Sequence, residues 1–355
     1  MNDNMNNKLF GFAIIGTGAI ASIHAKAIDA IPNAKLLGVF NRTKEKAIAF
    51  AKEYDCIAYD SIEELLESND VDIVCICTAS GLHRDPAMKA IEAGKHCLIE
   101  KPLEVTLEKS DEIINAASEK GVKVAVIYPT RFYPASEQIR KALDDNRFGN
   151  LVLGSAYVKW SRDEKYYASA DWRGTWEFDG GGALMNQAIH SVDILQWYMG
   201  PVESVQAITA NVRHKNIEVE DTAVAILKFK NGAVGTIECS TAVFPGSFKR
   251  IEVMGTKGSA VIEENSLSQW QFSEDTEADA KLRETYSGGG PSQGGVANPM
   301  DIGFYGHQKQ IEDLMEAISE DRTPLVDGIE GRKSVEIVRA VYDSARTGKP
   351  IVISE

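Results

Sequence analysis

The sequence of 355 residues has no long hydrophobic run and no excess of positive charge. None of its apolar stretches approaches the roughly 20 residues that a helix needs to cross a bilayer. Its 38 lysines and arginines are outnumbered by 52 acidic residues, which gives a formal net charge of −14. Because a polyanion would be repelled at long range, we expect neither nucleic acid nor a membrane surface as a partner, although local basic pockets for a phosphorylated ligand remain open.

Cysteine and histidine are also scarce, with five and six residues respectively. Cys75 and Cys77 lie in a strand-like run, where successive side chains point to opposite faces. We expect all five thiols to be reduced and mostly buried, as in a cytoplasmic protein. The polar N-terminal stretch "MNDNMNNKLF" predicts no secretory leader. The histidines are scattered without metal-ligand spacing, so no metal site is predicted.

Strand-like and helix-like segments alternate regularly over the first 127 residues. Apolar runs at 9–15, 35–40, 72–78, 96–100 and 123–128 are separated by segments with helical spacing. Strands of this kind, uniformly apolar and joined by helices, form a parallel sheet that is covered on both faces. We therefore predict an α/β protein whose residues 1–127 form a doubly wound parallel sheet.

The sequence pattern changes after Tyr128, where longer runs alternate between apolar and polar residues. Such alternation predicts a large, mostly antiparallel open sheet in an α+β domain over 128–355, for substrate binding and oligomerisation. The segment 287–303 is rich in Gly, Pro and Ser, so a mobile loop is expected there. Closing helices are predicted near 308–319 and 331–346, and they could pack back on the first domain.

The stretch "GTGAIA" (Gly16–Ala21) follows the first strand and opens a helix. In this context it predicts a dinucleotide-binding Rossmann domain, because Gly16 allows the tight turn and Gly18 lets the backbone approach a pyrophosphate. Ala21 is accepted at the third glycine position, where only helix packing is at stake. The alternative is a tight turn without a ligand. The predicted cofactor contacts in this loop are Gly16, Thr17, Gly18, Ala19 and Ile20.

Asn41 and Arg42 end the second strand, where an acidic residue would hold the adenosine ribose and favour NAD. A neutral amide does not repel a 2′-phosphate, and a guanidinium can pair with one. The pair therefore leans towards NADP within an NAD(P)(H)-dependent protein, although stacking of Arg42 on the adenine would also suit NAD.

Two further stretches carry candidate catalytic groups. In "IEKPLE" (Ile99–Glu104), Lys101 follows the fifth strand, and a cis bond at Pro102 would be one way to aim it. In "GGGALMNQAIH" (Gly180–His190), Asn186 and His190 are spaced to share one face of a helix, with Asp193 able to orient the imidazole. An imidazole there can take a proton from an alcohol while hydride leaves for nicotinamide. The alternatives are a solvated loop lysine and a core histidine satisfied by Asn186.

Together, "GTGAIA", "EKP" and "GGGALMNQAIHSVDIL" resemble the Gfo/Idh/MocA oxidoreductases, the group that includes glucose–fructose oxidoreductase and inositol dehydrogenase. The likeness covers nearly the whole chain, including "TASGLHRDPAMKAIEAGKHCLIEKPLE". It implies hydride transfer between NAD(P)(H) and a ring carbon of a sugar, cyclitol or sugar derivative. Lys101 would polarise the reacting oxygen and His190 would act as the general acid/base. The family's usual aspartate four residues before that histidine is Asn186 here, which puts a Lys-Asp-His proton relay in doubt.

The resemblance also implies further contacts. Asn186 would help to bind the substrate together with Lys101 and His190. Trp172 and Arg173 could reach cofactor or substrate, with packing as the alternative for Trp172, and Tyr128 and Arg131 could contact the substrate or act as a hinge. The residues implied near the nicotinamide and its ribose are Thr78, Ala79, Ser80, His83, Glu100 and Lys101.

Two other functions stay open at this point. The chain could be a non-catalytic dinucleotide-binding sensor, which Asn186 keeps possible, or a glycoside-processing enzyme that recycles a tightly bound NAD. The apolar residues that alternate along 221–243 predict a sheet face covered by a second subunit, and hence a homodimer or homotetramer.

Overall fold

The computed structural model describes residues 8–286 and 303–353. The chain divides into two compact units. The first takes in the described residues up to Pro129 together with Gly303–Arg332, and the second takes in those from Thr130 to 286 and from Lys333 to 353. The loop predicted at 287–303 lies, apart from Gly303, outside the described residues. No helix within the described ranges is long and apolar enough to cross a membrane.

The first unit contains a six-stranded sheet in the order β3-β2-β1-β4-β5-β6, with every pair of neighbours parallel. Its central strands are uniformly buried, as apolar strands covered on both faces must be. The predicted doubly wound fold class is confirmed. The strands are β1 (Phe10–Ile15), β2 (Ala34–Phe40), β3 (Ile57–Ala58), β4 (Ile73–Ile76), β5 (His96–Ile99) and β6 (Val124–Val126).

Helices join these strands at the positions that the sequence pattern predicts. Two of the helical segments stop at glycines with left-handed backbone, Gly94 (φ +76°) and Gly121 (φ +70°), where a side chain would be strained. The helices of this unit are α1 (Ala19–Asp29), α2 (Lys44–Glu53), α3 (Ile62–Glu67), α4 (Arg84–Glu92), α5 (Leu107–Lys120) and α10 (Tyr305–Ser319). The last of these packs against α1, so its apolar face completes the core of this unit.

The second unit contains an eight-stranded sheet in the order β13-β12-β11-β7-β10-β9-β8-β14. Only β7 and β10 pair in parallel, and the other neighbours are antiparallel. The predicted large, mostly antiparallel sheet is therefore confirmed. The strands are β7 (Leu151–Lys159), β8 (Val202–Ala210), β9 (Thr222–Phe229), β10 (Val234–Ser240), β11 (Arg250–Gly255), β12 (Gly258–Glu263), β13 (Ser266–Phe272) and β14 (Ile351–Val352).

The helices around this sheet range in length from 4 residues to 20 residues. A π-helical segment, Ala183–Ala188, leads directly into α8. The α-helices are α6 (Pro134–Asp144), α7 (Glu164–Tyr167), α8 (Ile189–Met199), α9 (Glu277–Tyr286) and α11 (Gly328–Thr347), the last beginning within the residues assigned to the first unit. Four of the five cysteines, Cys75, Cys77, Cys97 and Cys239, are buried, and none of the five is in a disulfide.

Candidate active site

The glycine loop connects β1 to α1 as predicted, and its two glycines are needed for different reasons. Gly16 has a φ of +100°, and a side chain there would meet the carbonyl oxygen of Cys77 at 2.6 Å. A side chain on Gly18 would meet nothing within 4 Å, so the protein's own packing does not require a glycine there. No side chain caps the first turn of α1. The loop thus leaves open space in front of unpaired helix N–H groups, which fits the pyrophosphate of a dinucleotide.

Asn41 and Arg42 differ in their side-chain contacts. Asn41 donates from Nδ2 to Thr17 Oγ1 at 2.6 Å and accepts at Oδ1 from the Thr43 N–H at 2.8 Å. Its amide therefore ties the end of β2 to the glycine loop. Arg42 is exposed, and within the described part of the chain it forms no ion pair. The end of β2 thus offers a free guanidinium and no carboxylate to the adenosine side of a nucleotide.

His83, which the resemblance implies near the nicotinamide, forms a hydrogen bond within the first unit. Its side chain is fully buried, with Nδ1 2.8 Å from the Pro102 carbonyl oxygen and Nε2 3.3 Å from that of Thr78. Burial lowers the pKa of His83, so the ring is neutral and the shorter contact assigns its one proton to Nδ1. His83 therefore joins the loop after β4 to the loop after β5 through its Nδ1–H, and a place beside the nicotinamide stays a prediction. Ser80 and Gly81 in the first of these loops are buried too.

Glu100 likewise forms hydrogen bonds inside the first unit, and its place beside the ribose stays a prediction. Its Oε1 accepts from His24 Nε2 at 2.9 Å, and its Oε2 accepts from the backbone N–H of Lys101 at 3.1 Å. The predicted cis bond between Lys101 and Pro102 is present. The Lys101 side chain is partly exposed. Glu100 thus fixes the backbone from which the lysine projects.

The charge state of this cluster follows from its surroundings. Burial by itself would raise the pKa of Glu100, but the hydrogen bond from His24 and the nearby ring of His307 hold that pKa well below its usual range. Burial lowers the pKa of His24. The pair is therefore a neutral imidazole that donates to an ionised carboxylate. His307, whose Nε2 lies 3.7 Å from Glu100 Oε1, completes a group of three potential metal ligands within 4.8 Å of one another.

Sequence reasoning missed this group, because its members come from α1, the end of β5 and α10. The histidines show no metal-ligand spacing in the sequence, because His24 and His307 are far apart along the chain. The direct hydrogen bond between His24 and Glu100 accounts for the contact without an ion. Tyr128 is also fully buried, and its backbone N–H donates to Gln310 Oε1 at 2.9 Å, while its substrate contact or hinge role stays a prediction.

In the second unit, the glycine run before the candidate histidine passes closely against Glu220. A side chain on Gly182 would lie 1.8 Å from the Glu220 carbonyl oxygen. The Glu220 carboxylate accepts the N–H groups of Gly182 at 2.9 Å and Leu184 at 2.8 Å, and the Tyr342 hydroxyl at 3.0 Å. The glycine run therefore approaches another part of the second unit closely, and Glu220 holds the start of the π-helical segment.

Asn186 and His190 do not share one regular α-helical face. Asn186 lies in the π-helix and His190 in the first turn of α8, so the i,i+4 spacing spans a change of helix type. Short π-helical insertions of this kind are frequent at functional sites. Between Gly181 and His190, only Asn186, Gln187 and His190 are not buried. The segment thus presents three polar side chains from an otherwise apolar stretch.

Asp193, which the sequence suggested could orient the imidazole of His190, forms an ion pair with Arg131. Its carboxylate receives two hydrogen bonds from Arg131, Nε to Oδ2 at 2.9 Å and Nη2 to Oδ1 at 2.6 Å. The side chains of both residues are 1% exposed or less. This is a buried, bidentate ion pair, and the substrate contact or hinge role of Arg131 stays a prediction.

Trp172 and Arg173 come before the glycine run in the chain, and both are partly exposed. The Arg173 guanidinium stacks on the rings of Trp172 at 4.6 Å and Tyr166 at 4.4 Å. Its Nη1 also donates to the Tyr166 hydroxyl at 2.6 Å. Packing and hydrogen bonding within this unit therefore engage both residues, whatever else they contact.

Comparison with known proteins identifies both parts of the chain. The family model described as "Oxidoreductase family, NAD-binding Rossmann fold" matches residues 10–128, and "GFO/IDH/MocA C-terminal domain" matches residues 136–261. Inositol 2-dehydrogenase of Rhizobium meliloti is 30% identical over 71% of this chain and 75% of its own length. The scyllo-inositol 2-dehydrogenase (NAD(+)) of Bacillus subtilis is 27% identical over 96% of this chain and 95% of its own.

A solved structure matches over almost the entire length. The WlbA dehydrogenase from Bordetella pertussis, crystallised with NADH and UDP-GlcNAcA, is 32% identical with a TM-score of 0.89. The match covers 98% of this chain and 99% of that one. The N-terminal and C-terminal parts of the chain are thus similar to the same kind of protein.

Proposed function

This chain belongs to the GFO/IDH/MocA oxidoreductase family, and from that premise we propose that it is a nicotinamide-dependent dehydrogenase of a sugar derivative. The observation that carries the proposal is the glycine loop, whose open space at Gly18 faces the uncapped start of α1. A bound nicotinamide would supply the hydride acceptor. The residues of the chain would then orient the alcohol and take up its proton.

We assign these roles to Lys101 and His190. Lys101 follows β5, and Glu100 accepts a hydrogen bond from its backbone N–H. This fixed backbone supports the role of the Lys101 ammonium group in polarising the reacting oxygen. His190 is one of the few accessible polar side chains in its segment, which supports a general acid/base. In the oxidation, the hydroxyl proton passes to the imidazole as the carbon gives up hydride, and the product is a ketone.

The substrate that we propose to test first is a nucleotide-linked hexuronic acid. The support is the similarity to the WlbA dehydrogenase that holds UDP-GlcNAcA, which extends over nearly the whole of both chains. The departure at Asn186 points the same way, because the resemblance implies that branches acting on nucleotide-linked sugars tolerate it. Free inositols, the substrates named for two relatives, are the second class.

For the cofactor we propose NAD(H), with the lean towards NADP as the prediction to be tested. The relatives are named for NADH or NAD(+), whereas the exposed guanidinium of Arg42 could pair with a 2′-phosphate. The ratio of kcat/KM for NAD and NADP, measured in wild type and in Arg42→Ala, decides between them. If Arg42 recognises the phosphate, only the NADP value falls in the variant.

The activity itself is tested with a panel of UDP-linked uronic acids, free sugars and cyclitols, followed by NADH absorbance. Turnover of one class with stoichiometric NADH formation is the expected result. Tight cofactor binding without turnover on any member would refute the dehydrogenase and favour the sensor. A cofactor that co-purifies and is never consumed while a glycoside is cleaved would favour the enzyme that recycles NAD.

We also propose that the chain forms a homo-oligomer through the outer face of β8 and β9. Ile208, Val224 and Ile226 are 76%, 47% and 59% exposed there, and Ile208 pairs with Val224 across the two strands. An apolar surface of this kind is typical of a subunit interface. Ile226→Asp should shift the mass measured by light scattering towards the monomer, whereas Ile48→Asp, at an exposed isoleucine of α2, should not. A monomeric wild type would contradict the proposal.

A further inference from the structure

A buried carboxylate lies next to the amide at position 186. Asp179 is the residue directly before the glycine run, and it is 2% exposed. Its Oδ2 accepts the N–H of Gly174 at 2.9 Å, and its Oδ1 accepts a very short hydrogen bond from Asn186 Nδ2. Nothing in the sequence singled out Asp179, because a lone aspartate before glycines is typical of an ordinary turn.

The contact with Asp179 fixes the orientation of the Asn186 amide. A carboxylate only accepts hydrogen bonds, so the amide nitrogen must face Asp179 and the amide oxygen must face away. The oxygen then accepts from the Tyr166 hydroxyl at 3.3 Å and from Gln187 Nε2. Gln187 Nε2 can only donate, and the Tyr166 hydroxyl already accepts from Arg173 and Gln187, so its own proton is left for Asn186 Oδ1. The network therefore has one consistent arrangement, and Asn186 cannot flip.

Two guanidinium groups close the network on its other side. Arg173 donates to the Tyr166 hydroxyl at 2.6 Å, and Arg162 donates from Nη2 to Gln187 Oε1 at 2.9 Å. Burial raises the pKa of Tyr166, so its hydroxyl stays protonated and can donate to Asn186. A chain of hydrogen bonds thus runs from a buried negative charge through Asn186 to two positive charges.

We propose that Asp179 is a positioning residue of the active site, which supplies through Asn186 the carboxylate that relatives usually carry at position 186. The pair Asp179–Asn186 replaces a single aspartate by a carboxylate and an amide in contact. The inference rests on the proposed function, since the segment that it positions carries His190. It makes Asn186 part of a complete site, so activity does not require an aspartate at this position.

The proposal predicts that restoring an aspartate at position 186 is harmful. In Asn186→Asp, two carboxylates would be in direct contact in a buried place, and one of them must take up a proton. We expect kcat at pH 7 to fall about tenfold or more, with partial recovery as the pH is lowered. In the described part of the chain, the titratable groups that interact with this pair include Tyr166 and Tyr167, and the guanidinium groups of Arg162 and Arg173 interact with Tyr166.

The decisive experiment is an exchange of the two residues. Asp179→Asn alone should lower kcat and leave the KM for the substrate and the affinity for NADH nearly unchanged. The double variant Asp179→Asn/Asn186→Asp again has one carboxylate and one amide, so it should exceed both single variants in kcat and lose the acid-shifted pH profile of Asn186→Asp. Asn150→Asp, at an exposed asparagine before β7, is the control for a charge added elsewhere.

Unfolding by urea between pH 5 and 8 gives a readout that does not depend on turnover. Stability of Asn186→Asp should fall with rising pH relative to wild type, and the exchange should remove that fall. If wild type shows no dehydrogenase activity, the proposed function fails while this stability pattern still tests the pair. A gain of activity in Asn186→Asp, or a double variant no better than the worse single one, would overturn the inference.

Discussion

The glycine run before His190 depends on a carboxylate whose titration can be measured. Glu220 is buried, and three donors face it, the N–H groups of Gly182 and Leu184 and the hydroxyl of Tyr342. Burial raises the pKa of Glu220 from its ordinary 4.5 to about 7, and the hydrogen bonds keep it from rising further. The folded protein therefore holds a proton on Glu220 over a pH range in which the unfolded chain has released it.

The sign and size of the effect follow from these two values. Below about pH 4.5 the group is protonated in both states and its contribution to stability is complete. As the pH rises through 7, the contribution is lost, because ionising the buried carboxyl costs more than ionising it in water. At about 1.4 kcal/mol for each pH unit between the two pKa values, the free energy of unfolding falls by about 3 kcal/mol.

The assay is urea unfolding of wild type and Glu220→Gln at intervals from pH 4.5 to 8. The difference between the two curves should change by about 3 kcal/mol over this range, because all other titrating groups cancel. Tyr342→Phe removes a donor to the ionised form, so its fall in stability should extend to higher pH. Glu119→Gln, on the exposed surface of α5, should run parallel to wild type. Parallel curves for wild type and Glu220→Gln would refute the reasoning.

Two other predictions concern the buried pairs Arg131–Asp193 and His24–Glu100. Arg131→Met leaves Asp193 buried without its partner and should lower the free energy of unfolding by about 3–5 kcal/mol. The double variant Arg131→Met/Asp193→Leu should recover much of that loss. A stable Arg131→Met protein with a raised substrate KM would instead favour a substrate contact. His24→Ala removes the donor to Glu100 and should cost about 1–3 kcal/mol and lower kcat without weakening NADH binding, whereas His24→Gln, which keeps a donor, should retain most of both. Unchanged kcat in His24→Ala would separate that cluster from the positioning of Lys101.

Local sequence patterns predicted many of the strands and helices. The apolar runs of β1, β2, β4, β5 and β6 and the helices between them are visible in the sequence, because a strand buried on both faces has little choice of residue. Strand β3 has only two residues, too few for a periodic pattern. Helices α10 and α11 each begin three residues before the predicted start. The ends of a helix depend on tertiary contacts, which the local sequence pattern does not report.

The site was predictable in its motifs and less so in its partners. "GTGAIA" and "EKP" identify Gly16, Gly18 and Lys101 because backbone geometry and strand ends constrain them locally. The ion pair of Arg131 with Asp193 and the bond of His24 to Glu100 join residues 62 and 76 positions apart, and no local pattern reports such distances. The π-helix at Asn186 was also hidden, since its sequence has the spacing of an ordinary helix.

The most direct test of the central claim is hydride transfer in Lys101→Ala and His190→Ala, measured with the substrate that the panel identifies. If both side chains act on the same alcohol, each variant should lose about 10²-fold or more in kcat while its dissociation constant for NADH stays close to that of wild type. Full activity in both variants would contradict the account.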